Sequence, residues 1–148
     1  MVIDQSGRVE ETNKSTIIAL ADKKKSFTVK LGAKDKKLLL QIFRKNGRPR
    51  TFPIVIFSDL VFMSMLRSGY FPQELIIDME YPGHENTIKN IILTLCARYK
   101  KKAPEIYFAN IGKKDPAHIS AWETYNKRKL PNVTVNAENF KTILPGKK

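Results

Sequence analysis

Cysteine is almost missing. Cys96 is the single one in 148 residues, so no disulfide can form within the chain and no cysteine-built zinc site can be assembled from it. No uninterrupted apolar run approaches the ~18 residues that a bilayer span requires, which predicts a protein without a membrane segment. The start of the chain, MVIDQSG, lacks the basic segment and apolar core of a signal peptide and enters a strand pattern at once. Together these absences predict an intracellular, cytoplasmic protein. Internal repeats and low-complexity segments are also missing. With 42% hydrophobic residues, the composition fits one globular domain with a substantial core.

Acids are scarce too: Asp+Glu number 14 against 27 Lys+Arg, a net charge of +13. The imbalance is segregated. Residues 23–50 hold eleven basic residues and only Asp35 as an acid, residues 97–129 hold nine basic and three acidic, and residues 51–96 hold two basic and five acidic. Two basic blocks around an acidic middle form the electrostatic footprint of a nucleic-acid binder, DNA or RNA. A solvated lysine-rich surface is the plainer alternative. The candidate phosphate-contacting residues are Lys23, Lys24, Lys25, Arg44, Lys45, Arg48 and Arg50 in the first block, with Lys113 and Lys114 in the second.

Alternating and apolar runs predict strands at 1–5, 15–21, 26–31, 74–79 and 105–112, with a short possible strand, VTV, at 133–135. Residues 34–45 are ambiguous between helix and strand. TFPIVIFSDLVFMSMLRSG is apolar almost all round and predicts a buried helix over about 53–67, with Thr51 as a cap and Pro53 in its first turn. A helix over about 85–102 buries Ile88, Ile91, Ile92, Leu95 and Tyr99, and a last helix begins at Asp115-Pro116. On that helix His118, Ala121, Trp122 and Tyr125 fall on one stripe expected to face the sheet. The order predicts an α/β fold, three antiparallel strands extended by two parallel ones with helices on the faces. The domain is expected over 1–129, with 130–148 as an extension packing on or trailing it.

Two acids terminate apolar strands: Asp4 after Val2-Ile3, and Asp78 after Leu75-Ile76-Ile77. Ligands of open sheets gather at the carboxyl ends of strands. If the two strands are parallel neighbours, the carboxylates converge, repel, and call for a divalent cation. Glu80, two positions past Asp78, can lend a third oxygen. Asp115 or His118, at the start of the last helix, would complete the cluster.

This arrangement resembles the ribonuclease H-like superfamily. The resemblance is carried by IDQSG after the first strand, IIDMEYPG after its expected neighbour and IGKKDPAH opening the last helix, and it spans roughly residues 1–127. It implies a five-stranded ribonuclease H-like sheet and a phosphodiesterase in which Asp4, Asp78 and either Asp115 or His118 are catalytic. It also implies that Asp4, Asp78 and Asp115 or His118 hold two ions, Mg²⁺ or Mn²⁺, to which Glu80, placed by its spacing, adds a further metal ligand. The family often carries a further acid on its central helix, where this chain offers only Asp59. A non-catalytic nucleic-acid-binding module on the same fold is the alternative. An assembly protein using 53–67 as an interface is a third reading.

Overall fold

The computed structural model describes residues 1–140. Six strands form one mixed sheet: β1 (Val2–Ser6), β2 (Thr16–Ala21), β3 (Ser26–Leu31), β4 (Glu74–Asp78), β5 (Glu105–Ala109) and β6 (Val133–Val135), in the spatial order β5-β4-β1-β2-β3-β6. Strands β1, β2 and β3 are an antiparallel meander, while β4 lies parallel to β1 and β5 parallel to β4. The expected five strands are all present. The sixth, β6, pairs parallel with β3 and extends the sheet at the far edge. It is anchored by a reciprocal pair of bonds, Thr28 N–H to Asn132 Oδ1 at 2.8 Å and Asn132 N–H to Thr28 Oγ1 at 3.0 Å. Residues 130–140 therefore belong to the domain, and Phe140 is buried in its core; residues 141–148 of the expected extension lie outside the described residues.

Four helices complete the fold: α1 (Ala33–Lys45), α2 (Phe52–Ser68), α3 (Glu85–Arg98) and α4 (Pro116–Tyr125). The ambiguous 34–45 segment is helical because Leu39 and Phe43, one turn apart, fall together on its buried side. Helix α2 is apolar all round because it is the central helix of the main core, packed with α3 and against β2 and β3. Its buried hydroxyls bond back to the helix, Ser58 Oγ to the Ile54 carbonyl at 2.7 Å and Ser64 Oγ to that of Val61 at 2.6 Å. Thr51 does not cap it by its side chain; its hydroxyl donates instead to the Arg48 carbonyl at 3.0 Å. Gly69, at φ 79°, ends it in the left-handed conformation that favours glycine. The 20-residue stretch Pro49–Ser68 is long and apolar enough to cross a bilayer by length and composition, but 72% of its apolar window is buried inside the protein. It is a core helix.

Helix α3 stops at Arg98, earlier than expected. Lys100 takes a positive φ of 56°, and the Lys101 N–H returns to the Cys96 carbonyl at 2.8 Å. The Lys100–Lys102 run therefore lies past the helix.

Alternation along the strands divides the sheet into two faces. Ile3, Ile18, Leu20, Val29 and Ile77 point into the core with α2 and α3, whereas Ile17 and Ala19 pack against Ala121 and Tyr125 of α4. Helix α4 covers β1, β2 and β3, so the same face of β4 and β5 stays open, with Ile76 and Tyr107 exposed on it. Asp4 and Asp78 stand on this face, at the margin of the covered part.

Candidate metal centre

The register Ile3↔Ile77 makes Asp4 and Asp78 the next residues on adjacent parallel strands, with side chains on the same face. Beyond Asp78 the strand turns, since Glu80 N–H bonds the Asp78 carbonyl at 2.8 Å, and the turn brings Glu80 back towards the pair. Oxygens of Asp4, Asp78 and Glu80 all lie within 4.8 Å of one another. Gly7 closes β1 at φ 80°, where a Cβ would overlap the Ser15 carbonyl and the Tyr125 ring of α4. Glycine lets α4 approach the strand end so closely.

His118 completes the arrangement. Its Nδ1 lies 2.9 Å from Asp4 Oδ2, so with Asp4 ionised the Nδ1–H donates and Nε2 is left as the ring's proton acceptor. Asp115 takes the other role open to it. It is the N-cap of α4, its Oδ1 accepting the Ala117 N–H at 2.9 Å, and it is not one of the three clustered carboxylates. Asp59 lies elsewhere again. Neither a surface nor a capping residue, it sits in the middle of α2 at 1% exposure, and among the described residues neither of its oxygens has a hydrogen-bond partner. Burial pushes its carboxyl well above the usual carboxylate range, opposed by the charge of Arg98.

Crowding and burial raise two carboxyls of the cluster. Burial pushes Asp4 up to about 6, with the charge of Asp78 adding to it, while the Gln5 backbone hydrogen bond and His118 act in the opposite direction. Glu80 is pushed up to about 8 by burial, by a hydrogen bond with Asp78 and by the charges of Asp78 and Asp4. Three hard oxygen donors this close, with Asp4 and Glu80 raised by burial and mutual repulsion that a cation would relieve, suit a divalent metal ion.

Several supporting residues carry no sequence signal of their role. Arg8 donates to the Glu80 carbonyl at 3.0 Å, approaches its carboxylate at 3.8 Å and bonds Glu10 at 2.7 Å. The Tyr81 hydroxyl donates within reach of Gln5 and Glu10, at 3.3 and 3.1 Å, while Gln5 Nε2 reaches Glu80 at 3.4 Å. The segment bearing Arg8 and Glu10 is itself pinned from within. Lys36, fully buried, directs Nζ at the carbonyls of Arg8 (3.0 Å), Glu11 (2.9 Å) and Lys14 (2.6 Å) and at Thr16 Oγ1 (2.8 Å). Burial brings its ammonium down to about 8, which leaves it mostly charged at neutral pH. In the sequence it looks like one more lysine of a basic block.

The basic candidates are dispersed. Lys23, Lys24 and Lys25 form the β2–β3 turn, where the Lys24 and Lys25 N–H groups bond Asp22 Oδ1. That turn lies at the amino end of β1, away from the carboxylates. Arg44, Lys45, Arg48 and Arg50 are exposed around the α1–α2 connection. Lys113 and Lys114 are exposed just before α4, and Lys113 borders the same surface recess as His118. Trp122 departs from the expected buried stripe. Ala121 is fully buried and Tyr125 packs beside it, but Trp122 is 42% exposed.

Comparison with protein-family models, with curated proteins and with solved structures returns no match for this chain.

Proposed function

We propose that the protein is a metal-dependent nuclease of ribonuclease H-like type, hydrolysing phosphodiester bonds of DNA or RNA. The observation that carries the reading is the convergence of Asp4, Asp78 and Glu80 within 4.8 Å at the ends of two parallel strands. The strand order supports it. An antiparallel β1-β2-β3 meander, extended through β1 by parallel β4 and β5, is the arrangement that the resemblance to the ribonuclease H-like superfamily implies. β6 is an addition to that pattern.

Asp4, Asp78 and Glu80 would hold Mg²⁺ or Mn²⁺, ions that take oxygen ligands. When bound, such ions polarise the phosphoryl oxygens and lower the pKa of water. The chain's own residues do the rest. Asp4 fixes the His118 ring through Nδ1, and Nε2 takes the proton that leaves the attacking water. Arg8 holds the Glu80 backbone and counters its charge. Lys113, beside His118, meets the phosphate.

Thermal melting with and without Mn²⁺ tests the ion site. A ligand bound only by the folded state raises the melting temperature by mass action, so Mn²⁺ should stabilise the parent and leave Asp4→Asn unmoved. Cleavage of single-stranded and duplex oligonucleotides in Mn²⁺ should be lost in the same variant. Equal thermal shifts in parent and variant, or undiminished cleavage by Asp4→Asn, would overturn the proposal. Oligonucleotide binding with no cleavage under any ion would favour the non-catalytic module instead.

A further inference from the structure

Beside the carboxylates lies a recess of about 340 Å³ bordered by Lys113, His118, Ile119, Trp122 and Glu123. His118 belongs to both places, since Nδ1 of the same ring lies 2.9 Å from Asp4. Trp122 follows it by one turn of α4, about 6 Å along the helix at 1.5 Å per residue. The only tryptophan of the chain is thus 42% exposed, and Ile119 next to it 44% exposed. Such a ring normally buries its large apolar surface, and here the neighbouring helix face packs on the sheet without it.

Charge around the recess selects the occupant. The Arg128 guanidinium stacks over Trp122 at 4.7 Å from the ring centroid, while Trp122 itself borders the recess. Lys113 on its border is exposed, as are Lys114 beside it in the chain and Lys127 and Arg128 just past the end of α4, and among the described residues Glu123 is the one carboxylate on that border. An aromatic plane set among cations, one helical turn from a phosphate-cleaving centre, has the composition of a base-stacking platform for single strands. A wholly paired strand keeps its bases inside the duplex stack and cannot offer one to the indole.

We infer that Trp122 stacks on an unpaired nucleobase next to the scissile phosphate, so that the substrate is a single strand or carries unpaired nucleotides at the cleavage point. This rests on the nuclease reading for the position of the phosphate, but stacking is measurable without cleavage.

The test uses the intrinsic emission of Trp122 in the full chain, first in EDTA and again in Ca²⁺. A single-stranded oligonucleotide should quench the emission. An abasic chain of the same length should bind about 5- to 150-fold more weakly and leave the emission unchanged, and a blunt duplex should quench little. Trp122→Ala should reduce affinity for the oligonucleotide to that for the abasic chain, while Trp122→Phe should restore most of it. Equal binding of oligonucleotide and abasic chain, or unaltered binding by Trp122→Ala, overturns the inference and leaves the nuclease reading standing. Quenching by an oligonucleotide that Asp4→Asn still cleaves would do the reverse. Emission that changes with protein concentration alone would mean that a second copy covers Trp122, and absence of binding to every strand would overturn both.

Discussion

Replacing Asp78 with asparagine separates a ligand from a structural acid. In the metal-free protein its charge lies within 4.8 Å of Asp4 and Glu80. Two full charges at that distance repel by about 3.5 kcal/mol at an effective dielectric of ~20. The molecule relieves part of this by keeping a proton on Glu80 below about pH 8, which leaves mainly the pair with Asp4. Removing the Asp78 charge should therefore return about 1–2 kcal/mol to the apo fold. The Ile111 N–H that Asp78 Oδ1 accepts at 2.9 Å can be accepted equally by an asparagine oxygen, so what is given up is the acceptor for protonated Glu80. The new amide can also donate to a neighbouring carboxylate. In EDTA the melting temperature of Asp78→Asn should rise by roughly 2–8 °C, at about 2–4 °C per kcal/mol for a chain of this size. Cleavage in Mn²⁺ should fall by more than about 100-fold, since residues that merely orient metal ligands already cost 10- to 100-fold. Asp78→Ala gives the control: it relieves the same repulsion but abandons the Ile111 N–H, so it should be less stable than the asparagine variant. A destabilised Asp78→Asn protein that still cleaves would refute the reasoning.

Glu80 sets a pH dependence. Its carboxyl is raised from 4.5 to about 8, so between those values the folded state holds a proton that the unfolded state has lost, and apo stability should decline as pH rises through that window. The decline should flatten in Glu80→Gln, while Mn²⁺ affinity in the parent should increase across pH 6–8 as Asp4 and Glu80 release protons to the ion; an apo stability that rises over this range would contradict the site electrostatics. Lys36→Met should cost about 2–4 kcal/mol in urea denaturation, because three backbone carbonyls and a hydroxyl lose their donor; a loss under about 0.5 kcal/mol would show that these contacts are dispensable. Oligonucleotide affinity should fall with salt at a log–log slope of roughly −3.5 if about five phosphates of a single strand are neutralised. Reversing Lys113 and Lys114 to Glu should weaken binding and flatten that slope more than reversing Lys23, Lys24 and Lys25, which lie at the opposite end of β1, and the opposite ranking would move the phosphate track away from the carboxylates.

Much of the site could be read from strand-end acids. Asp4 and Asp78 each follow an apolar run, and only a parallel pairing of those runs was needed to bring them together. Glu80 was reachable by the same logic, although a turn rather than a continuing strand delivers it. Lys36 was not legible, because a lysine between Asp35 and Lys37 carries no local mark of burial; its role comes from carbonyls 22 to 28 residues away. Trp122 leaves the expected stripe for a geometric reason. Positions 118, 121, 122 and 125 share a helix face in projection, but the face that α4 buries is Ala117, Ser120, Ala121 and Thr124, so the helix is turned about its axis and Trp122 falls outside the contact. VTV at 133–135 is legible as a possible strand and is β6, but three residues show no periodicity that would seat it beside β3; side-chain bonds between Asn132 and Thr28 do that. Helix α3 ended early because Lys100 adopts positive φ, which nothing in its basic surroundings announces.

A chain with one cysteine has nevertheless acquired a cross-link. Lys36 fastens the start of α1 to the β1–β2 connection at four points, closing a chain loop of 20–28 residues. Like a disulfide, it holds together segments that the unfolded chain would separate, and the connection it holds carries the arginine that braces Glu80. Unlike a disulfide, it is indifferent to reductants. It depends instead on a single proton and on the length of one side chain, so the brace of the carboxylate cluster is set from inside α1 by a residue that touches none of the acids.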